Sequence, residues 1–167
     1  MTIAEILLPE FDHEMASTRR MLEIVPADAA SWRPHPKSTT LGDLAAHIAR
    51  IPMWGRYTLQ QTELDLGLPE NASLAAAGFT TTADLVERFD KNVRETRAAL
   101  AATPDGEMGK TWTLKNAGSV IFSMPRAAVL RGFVLSHLIH HRGQLSVYLR
   151  LRDVPLPSLY GPTADTR

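Results

Sequence analysis

Apolar residues recur at helical spacing from the start of the chain. Leu7, Phe11, Met15, Leu22 and Val25 follow Thr2-Ile3-Ala4-Glu5, whose Thr and Glu have capping-box spacing. This predicts a first helix that ends at Pro26, with Pro9 marking a kink or a late start. Pro34 and Pro36 forbid regular structure in residues 31–38, which read as a connecting loop. A second helical pattern, Leu41, Leu44, Ile48 and Ile51, opens after Thr40, bends at Pro52 and continues toward Gln61. Residues 62–80 carry Gly67, Pro69, Asn71 and Gly78 with little periodicity, as a long surface connection would. Thr81 or Thr82 then caps a third helix, with Leu85, Phe89, Val93, Thr96 and Leu100 on its apolar face. Beyond Pro104-Asp105-Gly106, residues 111–122 read as irregular loop or as a short hairpin across Lys115 to Gly118. Ser123 and Pro125 signal the start of the longest helix, which persists to about Leu151 before Pro155 and Pro157 end it.

Four amphipathic segments without a convincing sheet predict an all-α fold. The expected arrangement is an antiparallel four-helix bundle, in which sites are built from inward side chains of different helices. At 167 residues the chain fits one domain, 1–167, with a core over 3–152 and a C-terminal tail over 153–167. Its 18 Lys and Arg balance 18 Asp and Glu, so no positive field attracts phosphate backbones or an anionic membrane surface, and no nucleic-acid or membrane partner is expected. There is no cysteine, hence no disulfide, thiolate ligand or cysteine nucleophile. The first residues lack a signal-peptide pattern and no apolar run reaches membrane-span length, from which a cytoplasmic address is expected.

Histidines carry the candidate chemistry. Three of the six lie in Ser136-His137-Leu138-Ile139-His140-His141-Arg142-Gly143-Gln144. Residues four apart on a helix sit one above the other, so His137 and His141 can present two imidazoles to one ion; His137 and His140 are also close enough. The stripe through His137 and His141 continues to Leu130, Val134, Leu145 and Tyr148, whereas that of His140 includes Ser136 and Gln144. His137 and His141 are therefore expected inside and His140 nearer the rim. His47, between Leu44 and Ile51, is the best third ligand. Three neutral imidazoles leave a coordination position open, as catalytic rather than closed structural sites do. Trp54, two turns beyond His47, reads as core or as a substrate contact. Asp43 reads as a solvated carboxylate or as an orienting partner for His47. Arg142 reads as a surface cation and Gly143 as a point of close helix packing.

In four places the chain resembles the DinB/YfiT-like family of metal-dependent enzymes. These are the early helix ending near Pro26, the Trp32-Arg33-Pro34-His35-Pro36-Lys37-Ser38 loop, Leu44-Ala45-Ala46-His47-Ile48, and His137-Leu138-Ile139-His140-His141-Arg142-Gly143-Gln144-Leu145. The resemblance spans residues 3 to 152. It implies an up-down bundle with a long connection between helices two and three, metal ligation by His47, His137 and His141, and a homodimer. It does not imply one reaction, because relatives differ; some act with small thiol cofactors in S-transfer or isomerisation.

The expected function is that of an enzyme whose divalent metal, zinc or nickel, activates a water or a thiol or polarises a substrate oxygen. With no cysteine, a low-molecular-weight thiol would arrive as cosubstrate of a small-molecule reaction. The alternative is a non-catalytic metal- or ligand-binding stress-response protein. No general base has a motif behind it, although Glu14 and His13 on the first helix could reach a bundle core.

Overall fold

Thr2 starts the first helix by satisfying two of the amides that any helix start leaves unpaired. Its hydroxyl accepts from the Glu5 amide at 3.1 Å, and the Glu5 carboxylate accepts from the Thr2 amide at 2.7 Å. The computed structural model describes residues 1–72, 74 and 78–166. In it α1 spans Ile3–Glu23, with Pro9 inside rather than at its start. Thr40 caps α2 (Leu41–Gln60) and Thr81 caps α3 (Thr82–Ala102), each hydroxyl accepting the amide three residues on. A single turn, α4 (Asp105–Met108), and a hairpin lead to α5 (Arg126–Ala128). This passes through a π-helical segment, Val129–Ser136, into α6 (His137–Arg150).

The long helices bury one apolar core. Phe11, Met15 and Leu22 of α1 meet Leu44, Ile48 and Ile51 of α2, Leu85, Phe89 and Leu100 of α3, and Leu138, Leu145 and Leu149 of α6. The α2–α3 seam also contains polar groups. Asn92 donates to the Ala49 carbonyl at 2.9 Å and Thr96 to the Pro52 carbonyl at 2.6 Å, so neither buried side chain is left without a partner. Pro52 sits inside α2 and the helix continues through it.

Gly55 lets this seam close. A Cβ there would lie 2.5 Å from Thr96 Cγ2, on a side chain that is fully buried and held by its bond to Pro52. Gly55→Ala is expected to cost about 1–3 kcal/mol through overpacking, despite alanine's better helix propensity. Thr96→Ser, which removes that methyl and keeps the hydroxyl, should restore part of the loss in the double variant, read by urea denaturation.

The fold is mostly helical but not all-α, which corrects the sequence reading. β1 (Glu63–Asp65), β2 (Thr111–Asn116) and β3 (Ser119–Pro125) form a three-stranded sheet in the order β1-β2-β3. β1 pairs parallel with β2, Leu64 opposite Leu114, and β2 pairs antiparallel with β3, Trp112 opposite Met124. The β2–β3 turn places Ala117 at φ 49° and Gly118 at φ 79°, the two successive positive values of a tight hairpin turn. β1 lies within the connection expected to be irregular. Its three residues are too few to show an alternating pattern, and its partner strand lies some fifty positions on. The sheet's inner face, with Leu64, Trp112 and Leu114, packs on Val129 and on Trp54 and Phe133. It thereby backs the wall on which the histidines sit.

No described helix is long and apolar enough to cross a membrane.

Candidate metal centre

His47 lies on α2 between buried Leu44 and Ile51, one turn to either side, and so points where the core does. His137 opens α6 and His141 follows one turn later. The packing of α2 against α6 brings the three together. His137 Nε2 is 2.9 Å from His141 Nε2 and 3.3 Å from His47 Nε2. All three are partly buried, and they form a group able to hold a metal ion, its donor atoms within 4.8 Å of one another.

The partners of the remaining ring nitrogens give this contact its chemical meaning. His137 Nδ1 lies 3.2 Å from the Phe133 carbonyl, which can only accept, so the proton sits on Nδ1 and the Nε2 lone pair faces the other two rings. His141 Nδ1 donates to Gln144 Oε1 at 2.7 Å, which turns its own Nε2 lone pair the same way. Burial, reinforced by the neighbouring histidines, lowers the His47 pKa to about 4 and moves that of His137 below its ordinary value. Both rings are therefore neutral at pH 7. With its proton on Nδ1, His47 would turn a third lone pair toward those of His137 and His141, and three such nitrogens within 4.8 Å of one another fit a divalent ion. The π-helical segment ends where His137 begins, and π-bulges commonly accompany functional sites.

The other sequence candidates lie elsewhere. His140 is exposed, on the rim. Asp43 bonds to the Thr40 hydroxyl at 2.6 Å and belongs to the α2 cap rather than to His47. An added Cβ at Gly143 would meet nothing within 4 Å, so this glycine does not mediate close packing. His13 is exposed, its ring 6.0 Å from that of Tyr160. Arg142 is not a surface cation: it is 2% exposed and ion-paired with Glu14 at 2.6 Å. Glu14 is thereby committed to Arg142 and to the Tyr160 hydroxyl. Trp54 is a core residue that also reaches a pocket wall. It packs on the core, edge-on to Phe133, and it lines a pocket that His47 also lines. Sequence reasoning missed Gln144 as the His141 partner, although its i+3 spacing could have indicated it, and missed Arg50 in the same pocket.

Fold and site together define a mostly helical protein whose three histidines, drawn from two helices, can bind one metal ion. The DinB superfamily model matches residues 10–145, and the chain belongs to that superfamily. Among solved structures it is similar to a DinB-like protein from Bacillus cereus ATCC 10987, at 23% identity and TM-score 0.70, covering 93% of this chain and 97% of that one. A DinB-like protein from Bacillus subtilis matches at 21% identity and TM-score 0.68, covering 92% and 96%. At these identities the likeness concerns the fold. No match is found among curated proteins.

Proposed function

We propose that the protein is a divalent-metal-dependent enzyme acting on a small molecule, with His47, His137 and His141 holding zinc or nickel and the nucleophile coming from outside the chain. The observation that supports this most is the set of three imidazoles turned toward one another, with the outer nitrogens of His137 and His141 tied to Phe133 and Gln144. When bound, the ion would supply Lewis acidity toward a water, a thiol or a substrate oxygen. The chain's own residues hold and orient. Phe133 and Gln144 fix the ring tautomers, Trp54 offers an apolar surface for substrate beside His47, and the absence of cysteine makes a low-molecular-weight thiol a cosubstrate rather than a residue. We read the four long helical segments as the up-down bundle that carries this site.

The test is turnover with a panel of small thiols and electrophiles, using protein purified without a histidine tag, before and after chelation and after metal is returned. Activity is expected to vanish with the chelator and to return with metal, while circular dichroism keeps its helical signal. The apolar core forms without the ion, unlike that of a small zinc domain. Full activity in metal-free protein would overturn the proposal. Stoichiometric metal without turnover of any substrate would favour the non-catalytic alternative.

A further inference from the structure

The pocket beside the histidines has an apolar wall that separate parts of the fold bring together. It encloses about 210 Å³ and is lined by His47, Arg50, Trp54, Leu66, Asn71 and Leu74. Trp54 stands two turns beyond His47 on α2, Leu66 follows β1, and Leu74 comes from the connection that leads on to α3. We infer that this pocket receives the uncharged apolar body, about one ring in size, of a substrate whose polar head reaches the ion held by the histidines. This rests on the metal-enzyme reading and gives it a substrate class, since His47 is both a candidate ligand and part of the pocket wall.

Arg50 and Asn71 build the wall through bonds to the backbone. Arg50 Nη1 donates to the Leu74 carbonyl at 3.1 Å, which ties the connection down over α2, and Asn71 Nδ2 donates to the Asp65 carbonyl at 2.7 Å. The Arg50 charge lies within electrostatic reach of both Asp43 and Arg88, so it belongs to a mixed set of charges, and no ligand group is assigned to it. Selection then falls to the apolar part of the lining, Trp54, Leu66 and Leu74.

These side chains are held in place by the fold. Trp54 is set edge-on to Phe133, ring centroids 5.8 Å apart, and the Leu66 amide donates to the Lys115 carbonyl at 2.9 Å, continuing the pairing of β1 with β2. All three apolar residues pack against the cluster of Leu64, Trp112, Leu114 and Val129, so the wall is formed in advance of any ligand. An apolar body entering the pocket removes apolar surface from water, and the indole offers a flat face to a ring. A charged body would give up its hydration against an indole and two leucines. An apolar cavity of roughly 150 Å³ holds benzene, so about 210 Å³ encloses a single ring or a short chain of similar bulk.

The test titrates the zinc-loaded protein with hydroxamates, whose common head chelates the ion while the body varies. By calorimetry, benzohydroxamate should bind about tenfold or more tightly than acetohydroxamate, naphthohydroxamate no tighter than benzohydroxamate, and para-carboxybenzohydroxamate more weakly than benzohydroxamate. Leu66→Asp should remove the advantage of the phenyl ring and leave acetohydroxamate binding unchanged, and Trp54→Leu should reduce that advantage. In chelated protein, benzyl alcohol should shift the Trp54 indole resonance of the wild type and leave that of Leu66→Asp in place. Equal binding of benzo- and acetohydroxamate, tighter binding of the carboxylated or the naphthyl compound, or a full phenyl advantage in folded Leu66→Asp and Trp54→Leu variants would each overturn the assignment. A protein that takes up neither zinc nor nickel yet shows the Leu66-dependent shift with benzyl alcohol would sink the metal-enzyme reading and leave the apolar pocket standing. Hydroxamate binding that ignores the ring would do the reverse.

Discussion

Replacing Glu14 by alanine is expected to lower stability by about 3–5 kcal/mol, among the largest losses any single substitution in this chain should produce. Arg142 is 2% exposed, and its charge is met by the Glu14 carboxylate at 2.6 Å. Its other contacts are the Glu14 carbonyl at 3.1 Å, the Thr18 hydroxyl at 3.2 Å and the Tyr160 hydroxyl at 2.5 Å. Without the carboxylate those neutral oxygens remain, but the guanidinium is a buried charge lacking its counter-ion. The penalty is that of the orphaned charge and not of the lost attraction. For a chain of this size the loss corresponds to a fall in Tm of roughly 6–20 °C. The double variant Glu14→Leu/Arg142→Met removes both charges and should be clearly more stable than Glu14→Ala. Thermal unfolding of the two variants checks this, and a double variant no better than the single one would contradict it. The pair joins α1 to α6 and is built on the residue after His141. Metal content in the folded Glu14→Ala protein, well below its lowered Tm, should nonetheless be unchanged.

What could be read from the sequence follows from how local each signal is. The cap at Thr2 was legible, and Thr81 stood as one of two candidates, because a hydroxyl and an amide three residues away settle such caps; the Thr40 cap was not read as one. His137 and His141 were legible because both lie on one helix a turn apart, and His47 because its apolar neighbours reveal which way it faces. The hairpin stood as one of two readings, since Asn116-Ala117-Gly118-Ser119 lacks the Asn-Gly or Asp-Gly pair that marks such turns most clearly. β1 was not legible, because its pairing depends on a distant strand. Arg142 was misread for the same reason. Its partner Glu14 lies 128 positions away, and nothing around Arg142 in the sequence announces a buried counter-ion. Arg50 was passed over because an arginine on an amphipathic helix ordinarily faces solvent, and its place in the pocket wall arises only when the segment bearing Leu66, Asn71 and Leu74 folds over α2.

The second large effect concerns the histidines. Losing one of three ligands leaves an ion with two imidazoles from protein, too few for a stable site. His47→Ala, His137→Ala and His141→Ala should each weaken metal binding by more than the roughly 10- to 100-fold expected when a partner of a ligand, here Gln144, is removed. His140→Ala changes an exposed residue on the rim and should bind metal as the parent does. Metal content per chain after gel filtration, measured by mass spectrometry on tag-free protein and these four variants, tests the central claim most directly. About one ion per chain is expected in the parent and in His140→Ala, with none retained by the other three. Retention by His137→Ala together with loss in His140→Ala, or a parent protein that takes up no divalent ion at all, would contradict it.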